Sequence, residues 1–170
     1  APEDTNATSE PALDAQRQAF AHIQNRLGCD AARTLMLGSP FDYARQVELI
    51  TAPHMPGPSE KGFLEALGPA VLRHIDASDG GAFVLFTSYQ MLRRMAQTLK
   101  PQLEQRGMPL LVQGDGEQRS TLLERFRGDR RSVLLGTDSF WQGVDVPGDA
   151  LRNVIITRLP FTVPDQPLVE

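Results

Sequence analysis

Four short apolar runs constrain this chain more than anything else in it: A-F-V-L-F at 82–86, L-L-V at 110–112, S-V-L-L at 132–135 and V-I-I-T at 154–157. They are continuous, not alternating, which suits parallel strands covered on both faces. The segments between the first three carry helical periodicity. Tyr89, Leu92, Ala96, Leu99 and Leu103 recur at spacings of three and four, with Arg93, Arg94, Gln97 and Lys100 on the other faces. A second amphipathic helix over 117–126 buries Leu122, Leu123 and Phe126. Strand, helix, strand, helix, strand predicts a three-layer α/β domain, a parallel sheet with helices on both faces.

The rest of the chain is assigned by local signals. Residues 1–11 are polar, hold two prolines and read as a disordered or extended lead-in to a domain spanning 12–170. A helix is predicted over 13–27, with Phe20, Ile23 and Leu27 on one face and Gly28 as a left-handed cap. T-L-M-L at 34–37 reads as a short strand; Pro40 keeps Ser39 extended, and Phe41 and Tyr43 are expected to anchor this segment. Pro53, Pro56 and Pro58 mark 51–58 as a loop. Ser59 is the expected N-cap of a helix over 60–75 with the stripe Phe63, Leu67, Val71, Ile75, and Pro69 predicts a kink or break there. Asp79-Gly80-Gly81 turns the chain into the first core strand, and 154–157 is expected to be a buried strand. Pro167 is placed to open a further helix.

Composition excludes several classes. Cys29 is the only cysteine, which rules out a disulfide within the chain and cysteine-rich metal sites. His22, His54 and His74 lack ligand spacing. No apolar run is long enough to span a bilayer and no basic-then-apolar leader opens the chain, so no membrane partner and a cytoplasmic setting are expected. The net charge of −4 hides a basic middle: residues 87–135 carry nine Lys/Arg against five Asp/Glu. That segment either supplies phosphate contacts or merely solvates two helices.

Three strands end in small or amide residues: Thr87-Ser88, Gln113-Gly114 and Gly136-Thr137. In a parallel sheet these ends share one edge, where hydroxyls, amides and helix N-termini can bind phosphates without reading bases. Ser88 is equally well suited to cap its helix, and the two roles use the same geometry. The stretch G-T-D-S-F-W-Q-G-V-D-V-P-G at 136–148 is the most distinctive. Its Phe140 and Trp141 either stack on bases or pack beneath the loop, and packing is the favoured reading. The sequence holds no G-x-x-x-x-G-K-[ST] phosphate loop, no adjacent acidic pair after a strand and no G-x-S-x-G elbow. Alone, it is a binding module or half of a composite site.

Five motifs in order carry a resemblance. G-S-P-F-D-Y (38–43), V-L-F-T-S-Y (84–89), L-V-Q-G (111–114), the 136–148 stretch and R-L-P-F-T-V-P (158–164) together cover roughly residues 20–170. The chain resembles the second motor domain of the DinG/XPD-type DNA helicases of superfamily 2, nearer to the bacterial DinG-like branch.

The resemblance implies a RecA-like domain working opposite a first RecA-like domain of the same parent chain. ATP and Mg2+ would sit between the two, with single-stranded DNA running across both. Thr87, Ser88, Gly136 and Thr137 would contact the DNA backbone, with Gln113 a further candidate. Gln142, Gly143 and Asp145 would face ATP, Asp145 toward the ribose. Arg158 would approach an acidic loop residue or the nucleotide. The family's arginine-finger motif would lie beyond Glu170, and the phosphate loop and any iron–sulfur cluster would belong to the first domain. The chain by itself is therefore expected to be inactive as an ATPase. A stand-alone α/β nucleotide- or nucleic-acid-binding module without turnover is the alternative.

Overall fold

The computed structural model describes residues 10–29 and 31–160; the opening nine residues and the helix expected at Pro167 lie outside them. The chain divides into two compact units, residues 1–51 and 52–170.

In the first unit, helix α1 (Glu10–Leu27) begins earlier than predicted and takes in Pro11, whose missing N–H costs nothing in a first turn. Gly28 adopts φ +64°, and the Cys29 N–H returns to the Gln24 carbonyl at 3.0 Å, closing the helix as the sequence suggested. Residues 34–37 do not form a strand. Leu35, Met36 and Leu37 are exposed, and the stretch takes no part in the four-stranded sheet. Phe41 and Tyr43 are exposed and lean on each other, ring centroids 6.2 Å apart. Ser39 Oγ donates to the Tyr43 hydroxyl at 2.9 Å, just ahead of the single turn α2 (Tyr43–Gln46).

The second unit holds α3 (Phe63–Ala77), β1 (Ala82–Leu85), α4 (Tyr89–Gln105), β2 (Leu110–Val112), α5 (Arg119–Gly128), β3 (Val133–Gly136) and β4 (Asn153–Ile156). Residues 51–58 form the expected loop without helix or strand. Ser59 does not cap α3; the N-cap is Gly62 at φ +91°. The Glu60 carboxylate folds back to accept the Gly57 N–H at 3.0 Å, so the chain turns there before the helix starts. Pro69 leaves α3 unbroken because it faces outward, where solvent can hydrate the carbonyl it orphans.

The four strands are all parallel, in the order β2-β3-β1-β4. Helices α3 and α4 cover one face, packing Leu67, Val71, Ile75, Leu92, Met95 and Leu99 on Ala82, Val84, Val133 and Leu135. On the other face, Leu122, Leu123 and Phe126 of α5 pack on Phe83, Leu85, Leu111 and Leu134. This is the three-layer α/β arrangement that the apolar runs predicted.

β4 differs from expectation. Its Ile155 joins the α3/α4 side, but Val154 and Ile156 are 52% and 47% exposed. They stand in register with Phe83 and Leu85 of β1, on the α5 face, yet α5 covers β1, β2 and β3 and stops short of this edge strand.

At the opposite, amino-terminal edge Arg152 gathers the connections. Its guanidinium donates to the carbonyls of Ser78 (2.8 Å), Asp79 (3.0 Å), Arg130 (3.1 Å) and Asp149 (2.7 Å).

Candidate functional site

β1 and β3 are neighbours whose outgoing connections part company. The chain leaving β1 enters α4 on one face, while the chain leaving β3 packs Phe140, Trp141, Val144 and Val146 on the other. A crevice at the carboxyl ends of two such strands is where open α/β sheets bind ligands. Thr87 and Ser88 lie on one side of it, Gly136 and Thr137 on the other.

On the β1 side, Ser88 caps α4, its Oγ accepting the Met91 N–H at 3.3 Å. The first amides of this 17-residue helix therefore open toward the same edge. The Thr87 hydroxyl has no hydrogen-bond partner among the described residues.

On the β3 side, Gln113 is the central clip. Its Oε1 accepts both the Thr137 N–H (2.7 Å) and the Thr137 hydroxyl (3.1 Å). Its Nε2 donates to the Tyr89 hydroxyl (2.6 Å) and to Ser139 Oγ (2.9 Å). Both lone pairs and both protons of the amide are thus used. Thr137 is only 3% exposed, with its hydroxyl proton and its N–H turned inward. In this arrangement Gln113 and Thr137 set the wall of the crevice and have no donor left over.

Gly136 is explained by packing. A Cβ there would meet Phe140 Cβ and Cγ at 2.9 Å. Phe140 is buried and meets Phe83 edge-on, centroids 5.6 Å apart. The Trp141 indole N–H donates to the Phe86 carbonyl at 3.4 Å. Packing beneath the loop, the favoured reading of this aromatic pair, is what the structure shows.

Gln142, Gly143 and Asp145 follow on the exposed part of the same loop, with Gly143 at φ +66°. Arg119, the first residue of α5, donates through Nη2 to the carbonyls of Gln142 and Gly143, each at 3.2 Å, and lies 5.3 Å from the Phe140 ring centroid. Arg127 donates through Nε (3.2 Å) and Nη2 to the Asp145 carbonyl. The Asp145 carboxylate is left without a partner among the described residues. Sequence reading missed both arginines, since nothing in the order of residues marks a side chain bound to the carbonyl of a distant loop. It also missed the polar use of Tyr89, which the helical stripe assigned to the core.

Five of the nine basic residues of 87–135 are spent within the fold. Arg106 pairs with Asp76 (2.7 Å), Arg131 with Asp79 (3.0 Å) and Arg125 with Glu117, while Arg119 and Arg127 hold carbonyls. Arg93, Arg94, Lys100 and Arg130 make no ion pair among the described residues, and neither does Arg158. No helix among the described residues is long and apolar enough to cross a membrane.

The crevice and its loop coincide with a family match. The helicase C-terminal domain family matches residues 71–170. The chain is similar to the ATP-dependent DNA helicase YoaA of Haemophilus influenzae, 42% identical over 151 residues, covering 89% of this chain and 23% of that protein. It is 40% identical over 139 residues to the ATP-dependent helicase DinG of Mycobacterium tuberculosis, covering 81% of this chain and 20% of that protein. It is 35% identical over 155 residues to the 3'-5' exonuclease DinG of Bacillus subtilis, covering 88% and 17%. The chain thus spans about a quarter or less of these relatives. The parallel three-layer sheet, the loop leaving β3 and the match over more than half of the residues lead to one conclusion: the chain belongs to the helicase C-terminal domain family, in its DinG-like branch.

Proposed function

We propose that this chain is the second motor domain of an ATP-dependent DNA helicase, which couples ATP hydrolysis to movement along single-stranded DNA and duplex unwinding. It supplies half of the ATP cleft and half of the DNA track, opposite a first RecA-like domain, in a cytoplasmic enzyme. The observation that carries this reading is the single loop from Gly136 to Asp145. One end forms the wall of the crevice at the strand ends, and the other presents a free carboxylate nine residues on.

At the crevice, the Thr87 hydroxyl and the first amides of α4 bind DNA phosphates from one side. Gly136 and Thr137 bound the groove on the other, where Gln113 holds Thr137. Arg93 and Arg94, within the first two turns of α4, add positive charge that favours a polyanion. At the other end, Gln142, Gly143 and Asp145 face the nucleotide, where the Asp145 carboxylate can accept hydrogen bonds from ribose hydroxyls. Bound ATP supplies the phosphoanhydride whose cleavage drives the motor. Among the described residues no group of three His, Cys, Asp or Glu comes together to hold a metal, so no residue here is assigned to Mg2+.

The test is Asp145→Ala in the complete helicase. DNA-stimulated ATPase is expected to fall about tenfold, with single-stranded DNA affinity in the absence of nucleotide within about twofold of the parent. Equal losses in both, or loss of DNA binding alone, would remove Asp145 from the nucleotide site.

A further inference from the structure

The β2–α5 segment holds five residues of the loop leaving β3. Gln113 holds Thr137 and Ser139, Arg119 holds Gln142 and Gly143, and Arg127 holds Asp145. All hydrogen bonds that the two arginines make to this loop go to backbone carbonyls. That choice is informative, because a guanidinium beside an aspartate ordinarily takes the carboxylate, where charge and the bidentate fork both favour it.

We propose that Arg119 and Arg127 are positioning residues for the nucleotide-facing loop, gripping its carbonyls so that the Asp145 carboxylate remains free for the nucleotide. The proposal rests on the reading of that loop as nucleotide-facing. The left-handed turn at Gly143 brings two successive carbonyls to one Nη2, whose two protons can serve both. The Arg119 guanidinium lies against the buried Phe140, so it is held between ring and loop. A lysine can offer charge there but not the planar group that fits between an aromatic face and two carbonyls. Two turns further along α5, Arg127 fixes the last carbonyl of the stretch. Without these contacts the turn at Gly143 would still form, but Asp145 would sample many orientations.

The proposal predicts a split between binding and turnover. In the complete helicase, Arg119→Ala and Arg127→Ala should each raise KM for ATP about tenfold, with kcat at saturating ATP and DNA within about twofold of the parent. Arg119→Lys, which keeps the charge and tests the fork, should recover only part of that loss. A fall in kcat of about a thousandfold at unchanged KM would instead place Arg119 on the reacting phosphate and overturn the proposal. So would full recovery by Arg119→Lys. In the 170-residue chain without nucleotide, amide hydrogen exchange over 142–146 should quicken about tenfold in Arg119→Ala while β1 and β3 keep their protection. Unchanged exchange in that stretch would overturn the grip itself. This readout separates the two hypotheses: a loosened loop together with an inert Asp145→Ala would leave the grip standing and defeat the nucleotide reading.

Discussion

At the scale of single residues, Gly136 shows how a motif glycine acquires its reason only in three dimensions. In the sequence it is the first member of a strand-end cluster, and the resemblance set it against a DNA backbone. In the fold its missing Cβ makes room for Phe140, which turns back under the loop. Gly136→Ala must displace a buried ring that also packs on Phe83, so it is expected to cost about 1–3 kcal/mol in chemical denaturation. The motif residues and their neighbourhood were legible in sequence. The partners of Gln113, Arg119 and Arg127 were not, because they lie 24, 24 and 18 residues away across the sheet and follow no periodicity.

At the scale of elements, local chemistry decided which expectations survived. Ser88 was read as a cap and is one, because the preceding strand delivers it in extended conformation at ψ 144°. Ser59 has the same chemistry but sits in a turn built by Glu60 and Gly57, so α3 starts later. Four apolar runs became strands of one sheet, whereas the run at 34–37 did not. Outward-facing prolines were tolerated in both α3 and α4, at Pro69 and Pro101. The double role given to Ser88 can be separated by two substitutions. Ser88→Ala is expected to destabilise the chain by about 1 kcal/mol through loss of the cap. Ser88→Asp restores a capping oxygen but places a negative charge at the edge proposed to bind DNA phosphates. Thermal stability near the parent value, with weaker single-stranded DNA binding that worsens at low salt, is therefore expected for it. Unaltered DNA affinity in Ser88→Asp would argue against phosphates at this helix end.

At the scale of the whole molecule, the order of apolar runs and helical stripes was enough to predict a parallel sheet sandwiched between helices. It could not predict strand order or uneven cover. V-I-I-T is as apolar as the other runs, so only the structure reveals that α5 leaves its outer face open. The two edges of the sheet also differ in kind. The carboxyl edge presents the Thr87 hydroxyl, the start of α4 and one carboxylate without a partner among the described residues, whereas Arg152 ties together four carbonyls at the amino edge. That clamp has a consequence for the order of folding. It joins Arg152 to Ser78, 74 residues earlier, and its other partners are contributed by later turns. It can close only after every intervening strand has found its place, so it acts as a terminal latch and not as a nucleus. Arg152→Ala should speed unfolding several-fold while leaving the refolding rate nearly unchanged in stopped-flow measurements. A slowed refolding arm would mean the latch engages before the transition state. The residue that closes the fold last then sets how long the native state endures, while contributing nothing to how fast it is reached.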